Sequence, residues 1–145
     1  MEFRITAHDG FFEMRLAGDI DPDKYDEVFD TLFAHDEWKP GTPLLVDESD
    51  LRADNLTIAG LRDIATTCTN RGTEFGDTRM AMYVSRELEF GLNRMWHIFI
   101  EGNWDVIGNV FRSRGEAMTW LGVWRIRLQV KPTLKYRYLQ HTSVR

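Results

Sequence analysis

From Glu2 the chain alternates Phe3, Ile5 and Ala7 with polar neighbours, and after Asp9-Gly10 a second alternation runs through Phe12, Met14 and Leu16. Period-two patterning on both sides of an Asp-Gly turn predicts a β-hairpin. Asp21 then offers an N-cap ahead of Pro22 at the first helical position, and Tyr25, Val28, Phe29 and Leu32 recur at helical spacing until Trp38-Lys39-Pro40-Gly41 breaks the pattern. Pro43, Leu44, Leu45 and Val46 lack polar alternation. That is the signature of a strand covered on both sides, and it predicts a central strand clad by helices front and back.

Thr57 is placed to cap a second helix whose stripe is Ile58, Leu61, Ile64, Ala65 and Cys68, with Arg71-Gly72 as its stop. Met80, Met82 and Val84 alternate as a further strand. Ser85 opens a third helix with an apolar line through Leu88, Leu92, Met95 and Phe99. A fifth strand follows from Val106 to Phe111, and Ser113-Arg114-Gly115-Glu116 fits a capping box before Ala117, Trp120 and Leu121. The order ββαβαβαβα predicts an α/β fold: a mixed sheet flanked by helices, because the opening hairpin prevents a wholly parallel sheet.

Composition narrows the function classes. A chain of 145 residues with 43% apolar residues, nine Phe and five Trp can close one core and is too apolar for disorder. One cysteine forbids an internal disulfide, and His8, His35, His97 and His141 are too far apart for a local metal-ligand pair. No apolar run reaches the length of a membrane span, and the opening MEFRITAHDG lacks the character of a signal peptide, so the expected compartment is cytoplasmic. Charge divides sharply: residues 1–120 hold all 23 acids against 12 bases, a formal −11, while the last 25 residues carry +6 and no acid. Within that tail Trp124, Ile126, Leu128 and Val130 alternate with Arg125, Arg127, Gln129 and Lys131, which predicts a C-terminal β extension, an edge strand or an arm reaching a second subunit. Interleaved Arg, Lys and Tyr also suits single-stranded nucleic acid, but the acidic body argues against a phosphate backbone.

Three segments together, TPLLVDESDLRADNLTIAGLRDIA, RMAMYVSRELEFGLNRMWHIFIEG and VFRSRGEAMTWLG, resemble the bacterial STAS-like group known as SpoIIAA-like, relatives of the anti-sigma factor antagonists. The likeness spans residues 1–122, leaving 123–145 as a basic extension. It implies a non-enzymatic regulatory or interaction domain acting by protein contact, with no cofactor. A distant likeness of that group to CRAL-TRIO lipid-binding domains implies the alternative of a lipid or apolar small-molecule binder. True antagonists carry an Asp-Ser-Ser-Gly motif whose serine is phosphorylated. The counterpart here is Asn55-Leu56-Thr57-Ile58, in which only Thr57 keeps a hydroxyl, making Thr57 a phosphoacceptor candidate as well as an N-cap.

Other candidate chemistry is sparse. Asp47, Glu48, Asp50 and Asp54 crowd the segment after the central strand, where ligands of open α/β sheets collect. Asp47, Glu48 and Asp50 are therefore candidates for a ligand or metal, although their spacing fits no calcium loop and acids in loops are usually just hydrated. Cys68 shares a stripe with Leu61 and Ile64 and reads as core, and no nucleophile, base and acid can be assembled into a catalytic site. On the third helix, 100° per residue puts Phe90, Asn93, Arg94, His97 and Glu101 away from the apolar line, with Trp96 and Ile100 at its margin. An exposed aromatic rimmed by charges is how partner surfaces are built. Phe90, Arg94, Trp96 and His97 are accordingly candidates for contact with a protein partner or for homodimerisation through this helix.

Overall fold

The computed structural model describes residues 1–123; the proposed C-terminal extension, Val123 apart, lies outside the described residues. The hairpin forms as patterned. Strand β1 (Glu2–His8) pairs antiparallel with β2 (Phe11–Asp19), placing Phe3, Ile5 and Ala7 opposite Leu16, Met14 and Phe12. Asp21 caps a single 3-10 turn at Pro22–Lys24 by accepting from the Asp23 N–H at 3.0 Å, and helix α1 (Tyr25–Phe33) continues from it. The order then runs β3 (Leu44–Arg52), α2 (Ile58–Asn70), a one-turn α3 (Gly72–Phe75), β4 (Arg79–Tyr83), α4 (Glu87–Ile100), β5 (Ile107–Phe111) and α5 (Arg114–Leu121).

The strands lie side by side in chain order, and β2, β3, β4 and β5 are parallel. Strand β3 occupies the middle, as the unbroken apolar run of Leu44, Leu45 and Val46 predicts. Successive right-handed crossovers moving one way along a sheet put their helices on one face. Accordingly Met14, Leu16, Leu44, Val46, Met80 and Met82 share one core with α1, α2 and α4. The opposite face is covered by α5, whose Ala117, Met118 and Leu121 join Val123 over Phe11, Leu45 and Ala81. Burying a large apolar side chain contributes about 1.5–3 kcal/mol, so Leu44 and Leu45, both at 0% exposure on opposite faces, tie the two layers through one strand.

Three expectations are corrected. The acidic stretch from Asp47 to Asp50 is strand, not loop, because β3 runs on to Arg52. Ser85 does not cap α4: Arg86 occupies the N-cap, and the Ser85 hydroxyl donates instead to the Ser49 carbonyl at 2.7 Å. The core line of α4 is rotated by about one residue. Glu89, Trp96 and Ile100 are buried, Leu92, Met95 and Phe99 are only partly so, and Leu88 is 43% exposed. Arg71-Gly72 does stop α2, which ends at Asn70 with Arg71 as its C-cap, and a separate turn at Gly72–Phe75 follows with Phe75 fully buried.

Candidate functional site

A β-bulge shapes the interior at the C-terminal end of β3. Between Arg15 and Ala17 of β2 the partner strand advances from Asp47 to Asp50, one residue more than regular pairing allows. Even-numbered Leu44 and Val46 point under the helix layer before the bulge, and odd-numbered Leu51 and Ala53 do so after it. Glu48 sits at the changeover. The bulge is held from both ends: the Asp47 carboxylate accepts from the Ser49 N–H at 3.0 Å and the Ser49 hydroxyl at 2.6 Å, while Ser85 holds the Ser49 carbonyl.

Below this point lies a cavity of about 70 Å³ between the sheet and helices α1, α2 and α4. Its wall is largely apolar, with Met14, Met80, Met82, Phe29, Phe75 and Trp96 prominent. Interiors are ordinarily packed like organic crystals, and one water needs roughly 10–15 Å³. The space therefore exceeds a packing defect.

Polar groups enter the wall from four elements. Glu48 of β3 accepts from the Asn93 side-chain amide of α4 at 2.9 Å, and the same amide also donates to the Glu89 carbonyl at 3.0 Å. Glu89, only 3% exposed, accepts from the Ala53 N–H at 2.9 Å and from the Arg86 guanidinium Nε, also at 2.9 Å. Arg86 in turn reaches Asp54 at 3.2 Å, so the loop after β3 is tied to the start of α4. Tyr25 of α1 lines the cavity at 5% exposure, and Cys68 of α2 at 4%.

Proton affinities follow from these surroundings. Burial lifts the Glu48 carboxyl to about 7, opposed by the Asn93 bond and assisted by the charges of Glu89 and Asp47. Burial works against ionised Glu89 too, but Arg86 and the Ala53 N–H outweigh it and hold that group below its usual value. The Tyr25 phenol is raised well above 10 by burial, then by Glu48 and Cys68. Burial likewise pushes Cys68 up to about 12, against a hydrogen bond from Trp96. Near neutral pH the cavity thus holds one carboxyl poised between its two states, one fixed carboxylate, a neutral phenol and a neutral thiol. Among the described residues no basic side chain lies in its wall.

The sequence-derived candidates scatter. Glu48 faces the cavity, but Asp47 and Asp50 lie on the α5 side of the sheet as partners of Arg15, Asp47 at 3.5 Å. Among the described residues no cluster of three or more His, Cys, Asp or Glu could hold a metal ion. Thr57 caps α2 by accepting from the Gly60 N–H at 2.9 Å. On α4, Arg94 is exposed, Phe90 and His97 are half-buried, and Trp96 is 7% exposed within the core rather than at its margin. His97 is not a surface histidine: its Nε2 is enclosed without a partner among the described residues, and burial lowers its pKa, the Glu101 charge acting the other way. Tyr25, Glu89 and Asn93 were not singled out by sequence as cavity-wall residues. Two signals were available in the Arg86-x-x-Glu89 spacing and in Asn93, which sits four residues after Glu89 in line with Trp96 and Ile100.

This architecture, a central parallel strand between an antiparallel hairpin and two further crossovers, defines a SpoIIAA-like α/β domain. The chain is similar in structure to an uncharacterized protein of the DUF3478 family with a SpoIIAA-like fold from Shewanella loihica PV-4, at a TM-score of 0.55 and 18% identity, covering 83% of this chain and 92% of that one. No family model matches the chain. No curated protein matches it either. The fold is therefore SpoIIAA-like, a STAS-type arrangement, and no helix among the described residues is long and apolar enough to cross a membrane.

Proposed function

We propose that this domain binds an apolar small molecule in the cavity beneath α1, α2 and α4, and that it does so without catalysing a reaction. The observation that carries this reading is the cavity itself, about 70 Å³ with a wall rich in methionine and aromatic side chains. Flexible thioethers adapt to irregular ligands, and apolar concavities with a few placed polar groups are the usual form of a small-molecule site. Fold supports the reading only as far as its architecture, since function resides in the site and not in the scaffold. The test is titration with benzene followed by NMR, alongside Leu92→Trp, which puts an indole where Leu92 meets the cavity. Saturable shifts at residues of the cavity wall, lost in the variant, are expected. Benzene that leaves those resonances unmoved overturns the reading.

A second reading, regulation by protein contact, is favoured by one observation. On α4, Leu88 at 43% and Ile98 at 66% exposure flank exposed Arg94 and half-buried Phe90, an apolar surface rimmed by charge. We infer that self-association or partner binding uses this outer face. Sedimentation of the wild type against Phe90→Glu and Ile98→Glu tests self-association: a monomeric wild type with no shift in either variant removes that form of it. Whether Thr57 also accepts phosphate is read by mass spectrometry after incubation with ATP and cell lysate.

A further inference from the structure

The polar groups in the cavity are not spread evenly along its wall. Glu48, Asn93 and Tyr25 belong to three different elements and meet the same cavity, otherwise walled by apolar side chains. Their hydrogen bonds are incomplete. One Glu48 oxygen takes the Asn93 amide, and the other has no partner among the described residues. Tyr25 is 5% exposed, and its hydroxyl makes no side-chain hydrogen bond among the described residues. Neither the Tyr25 hydroxyl nor the open Glu48 oxygen is among the sealed, unpartnered atoms of the described residues, so both meet the cavity free to pair with what enters it.

Charge selects what can complete the set. Among the described residues the cavity wall carries two carboxyl groups, Glu48 and Glu89, and no Lys, Arg or His. Arg86, which bonds the wall residue Glu89, is committed to Glu89 and Asp54. An anionic head would face carboxylates in a poorly solvated space, whereas a hydrogen-bond donor would satisfy the open Glu48 oxygen. A head that also accepts could take the Tyr25 hydroxyl proton at the same time. Resting on the reading of the cavity as a ligand site, we propose that its ligand is an apolar molecule with a single hydrogen-bond-donor head, an alcohol or an amine, seated between Glu48 and Tyr25, and that carboxylate-headed molecules are excluded.

The experiment compares 1-hexanol, hexylamine and hexanoate, which share one chain length, with benzene as a headless probe. Binding to the full chain at pH 7.5 is measured by NMR and calorimetry. The wild type is expected to bind the alcohol and the amine roughly tenfold more tightly than hexanoate, the scale of one hydrogen bond to a charged group. Tyr25→Phe should weaken the alcohol. Glu48→Gln should weaken the amine and narrow the gap to hexanoate while leaving benzene unchanged. Hexanoate bound as tightly as hexanol by the wild type overturns the head-group assignment without needing any variant. So does a selectivity that survives intact in a folded Glu48→Gln protein. If benzene binds and the head groups are not distinguished, the cavity reading stands and this one falls; if none of the four binds, both fall.

Discussion

Replacing Glu48 by Gln should stabilise the protein at alkaline pH and do little for it in acid. Folding moves the Glu48 carboxyl from an ordinary 4.5 to about 7, chiefly by burial. Between those values the folded state holds a proton that the unfolded chain has released, so stability falls as pH rises through this window and stays lowered above it. At about 1.4 kcal/mol per pH unit, the full loss is roughly 3 kcal/mol above pH 7. Below pH 4.5 both states are protonated and the penalty vanishes.

Glutamine keeps a carbonyl that can accept from Asn93 and removes the charge, at a cost of about 1 kcal/mol for an amide with an open donor. Urea unfolding of both proteins from pH 4.5 to 8.5 should therefore show Glu48→Gln level with or slightly below the wild type in acid, and about 2 kcal/mol above it at pH 8.5. The groups facing Glu48 do not blur this difference. Arg86 keeps Glu89 ionised against the pull of burial, burial keeps Tyr25 and Cys68 neutral, Asn93 does not titrate, and Asp47 lies on the other side of the sheet. Equal slopes of urea dependence would confirm that unfolding exposes the same surface in both. A stability difference that stays flat across the whole range would refute the claim that the folded protein confines an uncompensated carboxylate.

Thr57→Ala removes the oxygen that accepts from the Gly60 N–H and should cost about 1 kcal/mol in urea unfolding, with Thr57→Ser close to wild type. Cys68, buried and pushed up to about 12, should resist a thiol reagent at pH 8 in the native protein and react at full rate in denaturant; rapid native labelling would contradict its place on the inner stripe of α2. Gly108→Ala puts a Cβ 2.9 Å from His97 Nε2 and 3.4 Å from the Met80 carbonyl oxygen, and should lower stability by about 1–3 kcal/mol in the same assay. A neutral outcome would mean that α4 shifts freely over β5.

What could be read in the chain, and what could not, follows from how many physical arrangements each pattern allows. The run of Leu44, Leu45 and Val46 admits only burial on both faces, so the middle of the sheet was legible. Asp-Gly and Asp-Pro restrict the backbone locally, which is why the hairpin and the first cap were too. Helix α4 was ambiguous because it is apolar over two adjacent arcs, one through Leu88 and Leu92 and the other through Trp96 and Ile100. The tie is broken by Glu89, which prefers water unless partnered. Its partners, Arg86 and the Ala53 N–H, are supplied partly by a strand end 36 residues away, beyond the reach of periodicity.

The acidic stretch fails for a different reason, and it is the one that creates the site. In a regular strand continuing the phase of Leu44 and Val46, Leu51 and Ala53 would point toward α5, and the acids between would read as the end of the strand. One extra residue at the bulge reverses that phase, so Leu51 and Ala53 return under the helix layer. Sequence patterning assumes a constant period, and a bulge is the insertion that violates it. Glu48 reaches the cavity wall in the phase of Leu44 and Val46, just before the extra residue, while Asp47 stays on the other side with Ser49 and Arg15. A deletion of Ser49 tests this account: without the extra residue Leu44, Val46, Glu48, Leu51 and Ala53 fall in one regular phase, so Leu51 and Glu48 should stay under the helix layer and benzene binding should survive. If the shortened chain folds and benzene binding is lost, the extra residue does more than set the phase of Leu51 and Ala53.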